Sequence, residues 1–176
     1  MKIILGVTGS ISAYKSVEIL RLFQKSDHSV SVIMTENAKK FITPLTFETF
    51  APKHVYDCQF KDNQDPLLHI NICSENDLLL VAPATANIIA KMAHGLADDL
   101  LSTTLLAFSK RVVVAPAMNT SMYDNVAVQD NLSLIRNRGI EIIEPEEGSL
   151  ACTERGRGRL AAVEKIVETC LGIRRV

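Results

Sequence analysis

The chain has 176 residues, 47% of them hydrophobic and 22% charged, with a formal net charge of −1. That length builds one domain with a substantial core and is short for two, and the composition is that of a soluble globular protein. Charge this close to neutral gives no electrostatic case for a nucleic-acid or anionic-membrane partner, and no apolar run is long enough to span a bilayer.

The four cysteines, Cys58, Cys73, Cys152 and Cys170, are widely spaced and form no C-x-x-C pair. This argues against a disulfide framework or a zinc site and makes the reducing cytoplasm the expected compartment. The N-terminus opens on a strand-like segment, so no signal or transit peptide is expected.

In chain order, Lys2–Val7 reads as a strand and runs into "GVTGSISAYKS", residues 6 to 16. The triphosphate-binding loop G-x-x-x-x-G-K-[ST] is matched by Gly9, Lys15 and Ser16, but Tyr14 stands where its second glycine belongs. The dinucleotide pattern G-x-G-x-x-G is broken as well. Gly9-Ser10-Ile11-Ser12 still offers backbone amides at a helix N-terminus and two hydroxyls, a cradle for one terminal phosphate. A plain strand-to-helix turn with a serine cap accounts for the same residues. Ile11–Lys25 has helical spacing through Val17, Leu20 and Phe23, with Lys15 inside the helix and facing solvent.

A second strand is expected at Val30–Met34, and Thr43-Pro44 pairs an N-cap with proline at the first helical position. Gln59–Pro66, containing "KDNQDP", reads as a surface loop. His69 sits in "PLLHINI" just before a central strand, Asp77–Ala82; a histidine in such a setting is more often packed than catalytic. His28, His54 and His94 read as structural or solvated. Ile88–His94 and Val126–Arg138 read as helices ending at Gly95 and Gly139, with strands at Arg111–Ala115 and Ile140–Ile143 and a loop over Glu144–Arg159.

Continuous apolar strands such as Leu78-Leu79-Leu80-Val81 alternating with amphipathic helices predict an α/β fold. It is a doubly wound, Rossmann- or flavodoxin-like open parallel sheet with helices on both faces. Ligands of such sheets bind beyond the carboxyl ends of the strands. Three segments fall there: Gly9–Ser12, Pro83–Asn87 and Pro116–Asn119. The last two belong to a near-repeat, "VAPATAN" and "VAPAMN", whose small residues let a flat ring approach the backbone while Thr85, Asn87 and Asn119 can orient it. Two ordinary strand-to-helix turns would look similar singly, but less so as a matched pair. Further on, "ACTERGRGRL" places Cys152 among Arg155, Arg157 and Arg159, a setting for thiolate and anion chemistry or simply a solvated basic loop.

Taken together, "GSISAYK", "HINI", "PAMNTSMY" and "ACTERGRGRL" resemble, in this order, motifs of the homo-oligomeric flavin-containing cysteine decarboxylases. They stand for the flavin-phosphate loop, the active-site histidine, the P-x-M-N-x-x-M-W motif and the substrate clamp. The resemblance runs from Lys2 to about Lys165, and Tyr123 replaces the usual tryptophan. It implies a single decarboxylase domain over residues 1–176, with the clamp as a flexible loop around 144–159. FMN would be held by Gly9, Ser10, Ser12, Thr35, Thr85, Ala86, Asn87, Ile88 and Ala117, with no metal.

His69 would be the base, Asn119 would orient the substrate carboxylate, and Cys152 would donate the proton for the final reduction. Substrate contacts are expected from Asn119, Met122 and Ala151, and from Arg157 and Arg159 on grounds of charge. The implied reaction converts phosphopantothenoylcysteine to phosphopantetheine in coenzyme A synthesis, through thioaldehyde and ene-thiol intermediates. The implied assembly is a homo-oligomer built from trimers, with a phosphopantothenate–cysteine ligase as a further partner.

The alternatives are a lantibiotic-type peptidyl-cysteine decarboxylase, which stops at the ene-thiol and lacks the clamp cysteine, a flavin prenyltransferase, and a flavin-binding electron carrier.

Overall fold

The computed structural model describes residues 1–52, 54–60, 65–149 and 155–172. Its main sheet contains β1 (Lys2–Val7), β2 (Ser29–Met34), β3 (Val55–Tyr56), β4 (Leu78–Ala84), β5 (Arg111–Pro116) and β6 (Glu141–Ile142). All pairings are parallel and the spatial order is β3-β2-β1-β4-β5-β6. From β1 the chain first builds outward through β2 and β3, then crosses back to lay β4 on the other flank of β1. That reversal opens a crevice at the carboxyl ends of β1 and β4, where doubly wound sheets place their ligands.

Alternate residues of the central strands feed two cores. Ile3, Leu5, Leu80 and Val113 face α1 (Lys15–Lys25) and α8 (Val163–Leu171) through Leu20, Phe23 and Ile166. Ile4, Leu79, Val81 and Val114 face the other layer, made by α3 (Leu68–Glu75), α4 (Ala86–His94), α5 (Leu100–Ala107) and α7 (Val126–Asn137). Its contributions include Ile72, Ile89, Leu101 and Ile135. Burial on both faces is why these strands are apolar without interruption. Leu101 packs directly over Gly6, where a Cβ would come within 2.7 Å of its Cδ1 and the leucine would have to shift.

Two expectations need correction. The helix expected from Ile11 begins as a 3₁₀ turn over Ile11–Tyr14 and becomes α-helical only at Lys15. His69, just before the central strand as expected, lies inside α3. The expected loop over 144–159 contains an antiparallel pair, β7 (Glu146–Ser149) with β8 (Arg155–Arg159). Two short helices are also present, α2 (Pro44–Glu48), with Pro44 at its start as expected, and α6 (Thr120–Tyr123).

Candidate active site

The loop after β1 is tied to the end of β4 by two buried hydroxyls. Thr8 Oγ1 donates to the Pro83 carbonyl at 2.7 Å and accepts from the Thr85 amide at 3.1 Å. Ser16 Oγ donates to the Ala82 carbonyl at 2.7 Å. The Ala82–Pro83 peptide is cis. Motif reasoning singles out neither Thr8 nor Ser16 as a structural tie; only the fold shows that they face a strand remote in the chain.

The cradle itself begins at Gly9, where a Cβ would meet Asn37 Cβ at 2.5 Å and its carbonyl carbon at 3.1 Å. Only glycine lets the loop after β1 pass this close to the loop after β2. Ser10 caps the 3₁₀ turn, its hydroxyl accepting from the Ser12 amide at 3.3 Å. The two Ala-Pro-Ala turns lie side by side, the Ala117 amide donating to the Ala84 carbonyl at 3.0 Å.

Asn119 caps α6, its Oδ1 accepting from the Met122 amide at 3.1 Å. The β7–β8 ribbon crosses this second turn: the Met118 amide donates to the Gly158 carbonyl at 2.9 Å. Gly158 has φ +126°, and a Cβ there would sit 2.3 Å from the Met118 oxygen. Gly156 packs on α6, where a Cβ would reach Thr120 Oγ1 at 2.4 Å.

These segments enclose two adjoining cavities. One, of about 560 Å³, is lined by Gly9, Ser10, Ser12, Lys15, Asn119 and Arg159, with Ala86 and Ala117 in its wall. The other, of about 430 Å³, extends past Thr35, Asn87 and Ile88 to Lys91, Asp98 and Asp99. Gly9, Thr85, Ala86 and Met122 line both, so the two make one cleft across the strand ends. Each volume falls in the range of about 300–1,000 Å³ common for small-molecule sites.

At the far end Lys91 Nζ lies 2.5 Å from Asp98 and 2.7 Å from Asp99. Burial alone would lower the Lys91 pKa, but the hydrogen bonds and charges of the two aspartates outweigh it and hold the ammonium above its usual range.

The structure thus gathers Gly9, Ser10, Ser12, Thr35, Thr85, Ala86, Asn87, Ile88, Ala117, Asn119, Met122 and Arg159 along one cleft. Lys15 joins them, half-buried in the cavity wall rather than facing solvent. Arg157 is exposed and lines neither cavity. His69 lines neither cavity of its own chain, and its buried Nδ1 has no hydrogen-bond partner among the described residues. Ala151 and Cys152 lie outside the described residues.

Tyr123, buried behind the second turn, donates from its hydroxyl to Glu144 at 2.8 Å. Burial first, then this carboxylate, pushes its pKa up to about 12.

A family model described as Flavoprotein matches residues 1–174. The coenzyme A biosynthesis bifunctional protein CoaBC of Bacillus subtilis is 46% identical over 167 residues, which are 94% of this chain and 41% of that protein. The chain therefore spans less than half the length of this bifunctional relative. A solved PPC decarboxylase mutant, complexed with pantothenoylaminoethenethiol, superposes with TM-score 0.84 at 30% identity, covering 96% of this chain and 94% of that one. The FMN-dependent cysteine decarboxylase SpaF superposes with TM-score 0.84 at 31% identity over 97% of this chain and 95% of that one.

Proposed function

The chain belongs to the Flavoprotein family, and from that premise we propose that it is an FMN-dependent carboxy-lyase converting phosphopantothenoylcysteine to phosphopantetheine in coenzyme A synthesis. The observation that carries this reading is the single cleft joining a phosphate cradle, two small-residue turns and the Asn119 cap. The residues present fit FMN: Gly9 lets the loops after β1 and β2 close together at the cradle, and Ser10 and Ser12 stand at a helix N-terminus suited to a phosphate. Ala86 and Ala117 line the cavity with side chains small enough for a fused ring system to approach the backbone.

Bound there, FMN supplies reversible two-electron chemistry, which a cysteine unit needs because its decarboxylation carbanion is otherwise not delocalised. The chain's own part is to hold and to move protons. Asn119 is in the cavity wall with its carbonyl oxygen engaged by the helix it caps, which fixes the carboxamide to orient the substrate carboxylate. Lys15 and Arg159 add positive charge to the same cavity, complementary to a phosphorylated carboxylic acid.

His69 is assigned as base and Cys152 as proton donor on the resemblance of their motifs. Because His69 does not line its own cleft and keeps an unpartnered nitrogen, a second copy of the chain would bring it to the reaction, in a homo-oligomer built from trimers. A phosphopantothenate–cysteine ligase, in the same cytoplasmic compartment, is the partner that would provide the substrate.

A second reading, a peptidyl-cysteine decarboxylase, is favoured by the equal superposition on SpaF, named only as a cysteine decarboxylase. The higher identity to a coenzyme A biosynthesis protein and the cationic pair at the cavity support the small phosphorylated substrate instead. Incubating the purified, FMN-loaded chain with phosphopantothenoylcysteine should release CO₂ and phosphopantetheine, read by mass spectrometry. A product two hydrogens lighter would favour the second reading, and no CO₂ from folded, flavin-loaded protein would overturn the assignment.

A further inference from the structure

We infer that Tyr123 and Glu144 are positioning residues that fix the β7–β8 ribbon over the substrate end of the cleft. The role rests on the decarboxylase reading above, but the geometry stands by itself. The one-turn helix α6 presents two opposed faces. Asn119 and Met122 look into the cavity, whereas Tyr123, 4% exposed, points into the core between the sheet and α7. Its hydroxyl reaches Glu144, which lies two residues before β7, and Arg136 of α7 holds the other carboxylate oxygen at 2.6 Å. Gln129 of α7 donates to the Tyr123 carbonyl, so the backbone of α6 is braced from the same side.

The ribbon is thereby held at both strands. β8 hangs on the second turn by the Met118–Gly158 hydrogen bond and by the close fit of Gly156 on Thr120. The root of β7 is held by the Tyr123–Glu144 bond, and Glu146 Oε1 accepts from the Ala162 amide at 2.9 Å beyond β8. A hydrogen bond to an ionised carboxylate from a buried phenol is among the stronger kinds, and the raised Tyr123 pKa keeps the phenol a donor at any working pH. Losing it would loosen the root of the ribbon, leaving Arg136 and the Ala162 amide as its remaining holds, with Asn119, Lys15 and the cradle in place. The consequence is weaker substrate capture rather than slower chemistry.

The test uses the FMN-loaded full chain and the variants Tyr123→Phe, Glu144→Gln, Glu144→Ala and Tyr123→Phe/Glu144→Ala. Tyr123→Phe should raise KM for phosphopantothenoylcysteine about 10-fold with kcat within about twofold of the parent. It should also speed amide exchange at residues 146–149 and 155–159 by about 10-fold without changing exchange in the main sheet.

Glu144→Gln, which keeps an acceptor for the phenol, should fall between the parent and Glu144→Ala. The double variant should be no worse than Glu144→Ala alone, the mark of one shared contact. Parent-like exchange in both Tyr123→Phe and Glu144→Ala, or additive effects in the double variant, would overturn the assignment. The exchange measurement needs no turnover. A chain that fails to decarboxylate the substrate therefore defeats the functional reading, while the tyrosine's role is still decided.

Discussion

The ends of β4 and β5 carry the same Ala-Pro-Ala tripeptide, at Ala82–Ala84 and Ala115–Ala117, yet they are built in different ways. The alanines of both are buried, but hydroxyls from Thr8 and Ser16 grip the first turn, and it runs into the nine-residue helix α4. The second runs into the four-residue α6 behind an asparagine cap, leaves Met122 48% exposed, and is overlaid by the β7–β8 ribbon. Identical tripeptides therefore do not fix the role of a strand end; what crosses over it does. Buried hydrogen bonds from the β1 side make the first a rigid frame suited to a cofactor, and a separate ribbon makes the second a surface suited to a changing substrate.

If that division is right, substitutions at the two turns should separate turnover from flavin retention. The largest effect is expected at the second. Asn119→Asp keeps an acceptor for the Met122 amide, so the cap survives, but it sets a carboxylate against the substrate's own. We expect kcat/KM to fall about 10³-fold, since like charges in contact cost several kcal/mol, with flavin content and melting temperature unchanged. Steady-state assays beside flavin absorbance would show it, and loss of flavin in this variant would blur the comparison.

At the first turn, Thr8→Val preserves shape but strands the Pro83 carbonyl and the Thr85 amide. The buried Pro83 carbonyl left unsatisfied costs about 1–3 kcal/mol and the part-buried Thr85 amide less, so denaturant unfolding should show a loss of about 2–4 kcal/mol, accompanied by weaker flavin retention on dialysis. Molecules that keep flavin should turn over at the parent rate.

The smallest effect lies behind the second turn, at alkaline pH. Tyr123 has its pKa raised from 10.0 to about 12, so the folded chain holds this proton more tightly than the unfolded one. The resulting stability is present in full below the unfolded pKa and is lost as pH rises through the folded one. The parent should lose more stability between pH 10 and 12 than Tyr123→Phe does, as parallel unfolding curves in that window would reveal.

What can be read from the residues depends on how many physical constraints each segment carries. The central strands are covered on both faces, so their apolar runs announce them, and the sheet type follows from their alternation with helices. Strand β3 has only two residues, too few for any periodic signal.

The β7–β8 ribbon escapes sequence reading for another reason. "EEGS" and "RGRGR" have no apolar face to alternate, and their pairing is stabilised by docking on Met118 and Thr120, contacts remote in sequence. Lys15 reads as solvent-facing because its place in a helix does not reveal the cavity over the helix start, which Ile11, Ser12 and Tyr14 line beside it. Cradle and turn residues are legible because glycine, proline and small side chains have few other uses at a strand end. The buried hydroxyls of Thr8 and Ser16 are not, since their partners lie on another strand.

The Met118–Gly158 contact joins main chain to main chain. Such a hook does not depend on which side chains the ribbon carries, provided glycine stays at 158 with its φ of +126°. Lineages could therefore exchange the outward-facing residues of the ribbon, and with them the molecules admitted to the cleft, while the grip on the second turn and the cofactor frame beside it are inherited unaltered. On this scaffold a new substrate preference can arise by drift in one appendage, without rebuilding the reactive centre.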